Sequence, residues 1–205
     1  MKRAKFIIII LSALCFFVTC VKNETVYPTY YFGQEFRDYV IYKSGSYWIY
    51  QELATGEIDS IYLYKQSFYI NKSTQKIDYN YEGISESKIS SLHDTLTYSG
   101  NVLGKNPCGE YKAITVNGFV NSNVNYFEGE IGYSALTASY TFYTEKNDSI
   151  EFNKLKFFEV KIFENAMQIF SNQPFKTYYS KHVGLVRTEL FNGQVWNLIR
   201  YKVSQ

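Results

Sequence analysis

The sequence predicts an all-β protein with a minor helical contribution, built on a single antiparallel sheet that is strongly curved or forms an open barrel. Aromatic residues make up 19% of the 205-residue chain, and tyrosine alone contributes 21 residues, a composition that favours pleated sheet. From residue 36 onward, short apolar runs alternate with turn residues. Several runs are apolar on both faces, which suits a sheet that packs a core on one face and is covered locally on the other.

The first part of the domain is typical of a succession of hairpins. Gly45 lies in a loop with hairpin chemistry, and Trp48, in the strand that follows, offers a large apolar ring for the core, where its indole N–H needs a partner. The predicted elements are, in order, strand Tyr39–Tyr42, loop Lys43–Ser46, strand Tyr47–Leu53, turn Ala54–Glu57 and strand Ile58–Lys65.

The middle of the chain is less regular. Ile84–Leu92 and Asn165–Ser171 fit either a strand or a short helical turn, and both alternatives stay open at this point. The predicted elements here are strands Tyr111–Val116, Tyr133–Thr144 and Ser149–Phe163, the last two joined by a turn at Glu145–Asp148.

The closing hairpin carries the sharpest pattern. Val183–Phe191 and Val195–Val203 alternate as strands and are separated by Asn192-Gly193, a pair well suited to positive φ angles. Gly184, inside the first of these strands, predicts a bulge or a close backbone approach. Trp196, like Trp48, is expected in the core rather than on a ligand platform.

The N-terminus predicts export and lipidation. Lys2, Arg3 and Lys5 precede an uncharged apolar run, Phe6–Val18, which is shorter than the roughly 20 residues of a membrane-spanning helix. The run ends at Phe17-Val18-Thr19-Cys20, which resembles a bacterial lipobox with Phe in place of the usual leading Leu. That resemblance implies that the Cys20 thiol receives diacylglycerol, that cleavage occurs before it, and that the new N-terminus is acylated.

Two alternatives are an ordinary signal peptide cut nearby and an uncleaved anchor. The lipoprotein interpretation divides the chain into a signal peptide (1–19), a lipidated N-terminus and tether (20–35) and one β-rich domain (36–205). Of the cysteines, Cys15 leaves with the signal peptide and Cys20 carries lipid, so Cys108 has no partner for an internal disulfide.

The charge balance limits the kinds of partner. Removal of the three signal-peptide cations leaves 18 basic and 19 acidic residues, a net charge of −1. Such a balance argues against nucleic acid, or an anionic membrane surface, as an electrostatic partner.

Two segments together resemble small, uncharacterised envelope lipoproteins of the Bacteroides group. Tyr42-Lys43-Ser44-Gly45-Ser46-Tyr47-Trp48-Ile49-Tyr50-Gln51 resembles a segment near their start. Ser180-Lys181-His182-Val183-Gly184-Leu185-Val186-Arg187, with Leu198-Ile199-Arg200-Tyr201, resembles their closing hairpin. The resemblance leaves roughly residues 66–175 unmatched, implies a sheet wrapped into an open barrel like those of lipoprotein carriers or lipocalins, and transfers no catalytic residue.

The residues that carry chemistry are scattered, and the sequence predicts no catalytic, cofactor-binding or metal-binding residue; Cys20, as the lipid attachment point, is the one predicted site. The two histidines are 89 positions apart and lack zinc-ligand spacing. Carboxylate pairs of the kind used in glycoside hydrolysis occur, but solvated polar faces explain them better. The residue types that could carry chemistry are His93, His182, Cys108, Glu57 with Asp59, and Glu128 with Glu130.

We therefore expect a non-enzymatic lipoprotein of the cell envelope, anchored in a membrane (most simply the outer membrane) by its N-terminal lipid. One hypothesis is that a concave sheet holds a hydrophobic or glycan ligand. The alternative is a structural or interaction subunit that docks onto another envelope protein. An enzyme is the least favoured class, and no nucleic acid partner is expected.

Overall fold

A computed structural model describes residues 26–72, 79–92, 94–103, 108–115, 124–126, 132–133, 140–165 and 174–205. Cys20 and the segments around it lie outside the described residues. The described elements are helix α1 (Gln34–Val40) and strands β1 (Thr29–Tyr30), β2 (Tyr47–Glu52), β3 (Ile58–Asn71), β4 (Asn80–Ser90), β5 (Asp94–Leu103), β6 (Cys108–Thr115), β7 (Val124–Tyr126), β8 (Gly132–Tyr133), β9 (Tyr140–Phe152), β10 (Leu155–Asn165), β11 (Pro174–Ser180), β12 (Gly184–Leu190) and β13 (Val195–Lys202).

The predicted all-β fold with a single curved sheet is confirmed. Within the described parts of the chain, the strands follow one path, β7-β6-β5-β4-β3-β2-β13-β12-β11-β10-β9-β8. Neighbours on this path pair antiparallel, while β1 pairs parallel with β4 from the side. Strand β7 lies close to β9, but no ladder joins them in the described residues, so the sheet is not closed.

The strand predicted over Tyr39–Tyr42 is wrong, because the chain forms helix α1 at Gln34–Val40. Phe36, Tyr39 and Val40 have the i, i+3, i+4 spacing of an apolar helix face, and all three are buried. Tertiary packing of that face outweighs the sheet preference of the aromatic residues. The packed structure also reaches back into the segment predicted as tether, since Thr29–Tyr30 pair with β4 and Phe32 is buried.

The predicted turn at Glu145–Asp148 is also wrong, because β9 runs through it to Phe152. The single strand expected over Ser149–Phe163 is instead split by a turn at Asn153 and Lys154, with φ angles of 48° and 66°. This two-residue loop needs positive φ at both positions, a conformation that asparagine tolerates better than most residues.

The segment Ile84–Leu92, for which strand and helical turn stayed open, is strand as far as Ser90 and turn beyond it. It pairs with β3, which runs to Asn71 rather than ending at Lys65 as predicted. The register shifts between Leu63 and Lys65, so Tyr64 is an extra residue on β3. Of the second open segment, Asn165 ends β10 and the rest lies outside the described residues.

The closing hairpin is confirmed: β12 and β13 pair antiparallel, and Gly193 in the loop has a φ of +88°. The prediction for Gly184 is confirmed as well. Gly184 has a φ of +94°, and a Cβ added there would lie 3.3 Å from Cε2 of Tyr42. The pairing with β11 shifts register next to it, between Tyr178 and Tyr179.

Two apolar clusters form the core. The first packs α1 against the sheet, and the second extends along the sheet toward the β9–β10 hairpin. Trp48 belongs to the second cluster, is 4% exposed and donates its indole N–H to the Val183 carbonyl at 2.7 Å, as predicted for a core tryptophan; Trp196 packs half-buried against the same cluster. The first cluster contains Phe32, Phe36, Tyr39, Val40, Ile84, Phe163 and Tyr179; the second contains Tyr42, Trp48, Tyr50, Leu63, Phe157, Val160, Ile162, Tyr178, Val186 and Leu198.

Helix α1 is held from several directions. The Tyr39 hydroxyl donates to the Glu159 carbonyl at 2.7 Å. At the helix C-terminus the Asp38 carbonyl accepts the His182 backbone N–H at 2.7 Å and the Gln205 side-chain amide at 3.0 Å. These donors satisfy a carbonyl that the helix itself leaves unpaired.

Among the described residues, no helix has the length and apolar character needed to cross a bilayer.

Candidate functional site

The register of the central strands places one row of side chains on the face of the sheet away from α1. Lys202 of β13 pairs with Tyr47 of β2, Tyr47 with Tyr62 of β3, and Tyr62 with Ile89 of β4. Directly paired residues share a face, so these four side chains form one row across four strands. We call this side of β13, β2, β3 and β4 the Tyr62 face.

The opposite side of the same strands, on which α1 packs, holds the carboxylates. Four acidic residues of β2–β4 lie on it by register, opposite Trp196, Tyr50, Ile70 and Gln66. All are buried, with exposed fractions between 1% and 7%. They are Glu52, Asp59, Glu82 and Glu86. Buried carboxylates need donors, and each of the four has them.

Glu82 fixes the entry of the chain into α1. Its Oε2 accepts the Phe32 backbone N–H at 2.9 Å and Nη2 of Arg37 at 2.6 Å. Arg37 also places its guanidinium 5.8 Å from the centre of the Phe68 ring. One carboxylate thus ties the segment before the helix, the helix and β4 together.

Two further carboxylates organise turns. Asp59 accepts the Ser90 hydroxyl at 2.8 Å and the Ser91 hydroxyl at 3.1 Å. Glu52 accepts the backbone N–H groups of Ala54 and Thr55 at 2.8 and 2.6 Å. The Thr55 N–H is the main cause that lowers the pKa of the Glu52 carboxyl below its ordinary value, since these donors favour the charged form. Both carboxylates therefore stabilise turns between neighbouring strands.

The fourth carboxylate pairs with a lysine that lines a small cavity. Glu86 accepts Nε2 of Gln66 at 2.8 Å and forms an ion pair with Lys88 at 3.2 Å. The Lys88 ammonium also lies 5.2 Å from the centre of the Trp48 ring, within reach of a cation–π interaction. Burial, with the Glu86 charge as the next cause, raises the pKa of the Tyr42 hydroxyl well above its ordinary value.

The cavity lies between α1 and the sheet and measures about 50 Å³. Half of its lining residues are aromatic, and Lys88 supplies a charge. Small-molecule sites measure ~300–1,000 Å³, whereas a water molecule needs only ~10–15 Å³ of such volume. This space therefore accommodates water rather than a lipid chain or a sugar ring. The lining residues include Tyr39, Tyr42, Trp48, Tyr50, Lys88 and Tyr179.

The Tyr62 face has the opposite charge character. Lys65 pairs with Ser87, Arg200 with Ile49 and Lys202 with Tyr47, which places all three cations on this face. All three are exposed. Among the described residues, none of them has an ion-pair partner.

Apolar side chains lie between these cations. Tyr62 and Ile89 are 45% and 47% exposed, and Ile58, two rows away, is 40% exposed. In the described strands β13, β2, β3 and β4, no carboxylate lies on the Tyr62 face. The nearest exposed acidic residue along the chain is Glu57, in the turn between β2 and β3.

The histidine, cysteine and carboxylate residues weighed as possible catalytic or metal-binding groups do not come together in the described structure. His182 is exposed in a turn, with its Nδ1 2.6 Å from Oε1 of Gln205. Glu57 is exposed in the β2–β3 turn, whereas Asp59 is buried against Ser90 and Ser91. Cys108 begins β6, but its side chain lies outside the described part of the molecule. Cys20, His93, Glu128 and Glu130 lie outside the described residues altogether.

Sequence reasoning missed both the Tyr62 face and the carboxylates opposite it. The alternation Ile58-Asp59-Ser60-Ile61-Tyr62-Leu63 was a usable signal, but the partner strand β4 was not recognised. In the described residues, no group of three or more potential ligands could hold a metal ion.

Searches of the chain against protein-family models, curated proteins and solved structures found no match. The fold therefore defines the class only as an all-β protein with one open, curved sheet and a short packed helix.

Proposed function

We propose that this chain is a non-enzymatic envelope lipoprotein, anchored through Cys20, that acts as an interaction subunit and docks its Tyr62 face onto an acidic surface of another envelope protein. The observation that carries the proposal is the separation of charge across strands β2–β4. Four carboxylates are buried on the side on which α1 packs, while Lys65, Arg200 and Lys202 stand exposed on the other.

The composition of the Tyr62 face fits a protein interface. Tyrosine and arginine are enriched at interface hot spots, which combine apolar contact with a polar rim. Tyr62 and Ile89 provide the apolar part, and the cations flank it on β13 and farther along β3. A cationic rim steers an acidic partner and excludes a basic one. The net charge of the chain does not report this property, because the acidic residues of these strands are on the other side.

The test is a chemical crosslinking pull-down of the tagged, full-length protein from membranes of its own host. The variant Lys65→Gln/Arg200→Gln/Lys202→Gln removes the three cations from the Tyr62 face. A matched control, Lys72→Gln/Lys154→Gln/Lys156→Gln, removes three exposed cations that lie outside it. We expect the same crosslinked partner with the wild type and the control, and loss of that partner with the first variant.

Two results contradict the proposal. One is a partner that both triple variants retain equally, since the Tyr62 face would then not be the docking surface. The other is the absence of any partner at low ionic strength, where attraction between exposed charges is least screened.

A second candidate function, the binding of a hydrophobic or glycan ligand within the sheet, is favoured by the aromatic lining of the cavity beside Lys88. At about 50 Å³, the described space must enlarge by displacement of α1 before it holds such a ligand. Native mass spectrometry of the protein extracted in mild detergent tests this function. A bound species that survives extraction and disappears in Trp48→Ala supports it, whereas an unliganded mass in both proteins contradicts it.

The proposed anchor has its own test. Intact-mass analysis of the mature protein should give a chain that begins at Cys20 and carries acyl groups, and Cys20→Ser should release the protein from membranes. One acyl chain alone binds only marginally, so stable attachment needs at least two. A mature chain that begins upstream of residue 20 would contradict the anchor.

A further inference from the structure

A second exposed apolar region surrounds the far end of β3. Five aromatic or aliphatic side chains at this tip of the sheet have exposed fractions between 37% and 57%. By register Phe68 and Ile70 lie on the α1 side and Tyr69 on the opposite side, so the exposed apolar surface covers both faces of the strand end. We call this region the end patch; it consists of Tyr27, Tyr31, Phe68, Tyr69 and Ile70.

The end patch is where the chain enters the domain. Asn80, at the start of β4, donates its backbone N–H to the Pro28 carbonyl at 2.8 Å and its side-chain amide to the Tyr27 carbonyl at 3.3 Å. Strand β1 follows at once, and the Phe32 N–H is held by Glu82. The segment from Tyr27 onward is therefore fixed to β4, and the link to Cys20 begins at this end of the molecule.

The link is short. Tyr27 is seven positions after Cys20, and a fully extended chain spans at most ~3.6 Å per position, or about 25 Å in all. If Cys20 carries lipid, this length holds the end patch within reach of the bilayer surface. The Tyr62 row lies eight residues back along β3 from Ile70, about 26 Å away at the rise of a strand.

We infer that the end patch rests on the lipid bilayer, with its tyrosines at the headgroup level and Phe68 and Ile70 against the acyl boundary; the inference rests on the proposed anchor at Cys20. Tyrosine combines an apolar ring with a hydroxyl that remains hydrated, and it is enriched at membrane interfaces for that reason. A lipid anchor raises the effective concentration of the surface next to it, so a patch too small to bind a membrane alone is held there. In this orientation the row that contains Tyr62 and Ile89 is about 26 Å along the strand from the end that meets the membrane, and it remains free for a protein.

The experiment uses the mature, lipidated chain with Cys108→Ser, reconstituted into phosphatidylcholine vesicles. An environment-sensitive fluorophore is attached at Lys72→Cys, two residues beyond Ile70, or at Ser60→Cys on the Tyr62 face; both positions are exposed on or next to β3. Phospholipids that carry a headgroup nitroxide serve as quenchers. We expect the label at position 72 to lose most of its fluorescence, and the label at position 60 to remain unquenched.

Serine variants test whether the apolar side chains cause the contact. Tyr31→Ser/Phe68→Ser/Ile70→Ser should restore the fluorescence at position 72. Ile58→Ser/Tyr62→Ser/Ile89→Ser, with similar exposure on the other surface, should leave the quenching unchanged.

The failures are distinguishable. Protein that does not float with the vesicles overturns the anchor and the inference together. Protein that floats while both labels stay unquenched overturns the inference alone, as does equal quenching at positions 60 and 72. A change in the fluorescence at position 72 that occurs only after envelope proteins are added also overturns the inference, since the end patch would then bind a protein.

Discussion

The two sides of strands β2–β4 are made by alternate residues of the same segments, yet they have opposite chemical characters. On the side of α1, four carboxylates are buried, each with donors, among the apolar residues of the core. On the Tyr62 face, Lys65, Arg200 and Lys202 have no ion-pair partner among the described residues. Half-exposed apolar side chains lie beside them. A near-neutral chain can thus present a strongly basic surface, because register assigns its charges to separate faces.

The largest expected difference between the two sides comes from aromatic truncation. Phe36 is fully buried and stacks on Phe32 with ring centres 4.3 Å apart, so Phe36→Ala should lower the free energy of unfolding by ~3–5 kcal/mol. Tyr62→Ala, on the exposed face, should change it by no more than ~0.5 kcal/mol. Urea denaturation of both variants measures the difference, and equal losses would show that the Tyr62 face is also part of the core.

Removal of a single charge should also lower the free energy of unfolding more on the α1 side than on the Tyr62 face. Glu82→Ala leaves the buried Phe32 N–H without its acceptor and Arg37 without its partner, a loss of about 2–3 kcal/mol. Lys65→Ala removes an exposed cation and should cost less than ~0.5 kcal/mol. Chemical denaturation gives both values; a tolerated Glu82→Ala would mean that this carboxylate does not fix the helix entry.

Two glycines with similar backbone angles test how tightly the helix side packs. Gly193 has a φ of +88° and nothing within 4 Å of an added Cβ, so Gly193→Ala should cost only the left-handed strain, ~1 kcal/mol. Gly184, at +94°, has the Tyr42 ring 3.3 Å from an added Cβ, so Gly184→Ala should cost more, about 2 kcal/mol. Thermal unfolding of the pair isolates the contact, and equal melting temperatures would refute it.

The smallest expected effect is a dependence on pH. The pKa of Glu52 is lowered in the folded protein, mainly by the Thr55 N–H, relative to an ordinary value of ~4.3. Its contribution to stability is therefore complete above that ordinary value and is lost as the pH falls through the lowered pKa. Glu52→Gln should flatten the acid side of the stability profile, which urea denaturation at a series of pH values measures; an unchanged profile would show that the Glu52 carboxylate contributes nothing to stability.

The sequence predicted those parts of the fold in which local chemistry decides the structure. Asn192-Gly193 specifies a hairpin by its own backbone preference, and the alternation on either side of it confirms the strands. Asn153-Lys154 forms the same kind of loop, but lysine carries no signal for positive φ, so the hairpin was placed eight residues too early. Helix α1 was missed because Phe36, Tyr39 and Val40 favour strand individually, and only their contact with Ile84 and Phe163 makes the helix stable.

The candidate site depended on long-range pairing and was not predictable in the same way. Tyr62 and Ile89 become neighbours only through the β3–β4 register, and Lys202 joins them from more than a hundred residues away. A count of charges cannot locate them on a face. The lipidation of Cys20 stays a prediction, as does the resemblance of the two end segments to envelope lipoproteins.

The pairing of β2 with β13 has a consequence for how the chain folds. Residues 47–52 find their second neighbour only in residues 195–202, and the C-terminus of α1 receives donors from His182 and Gln205. Formation of these contacts requires closure of a very long loop, which slows folding. A chain made from its N-terminus would therefore remain without a finished core until residues 195–202 are available to pair.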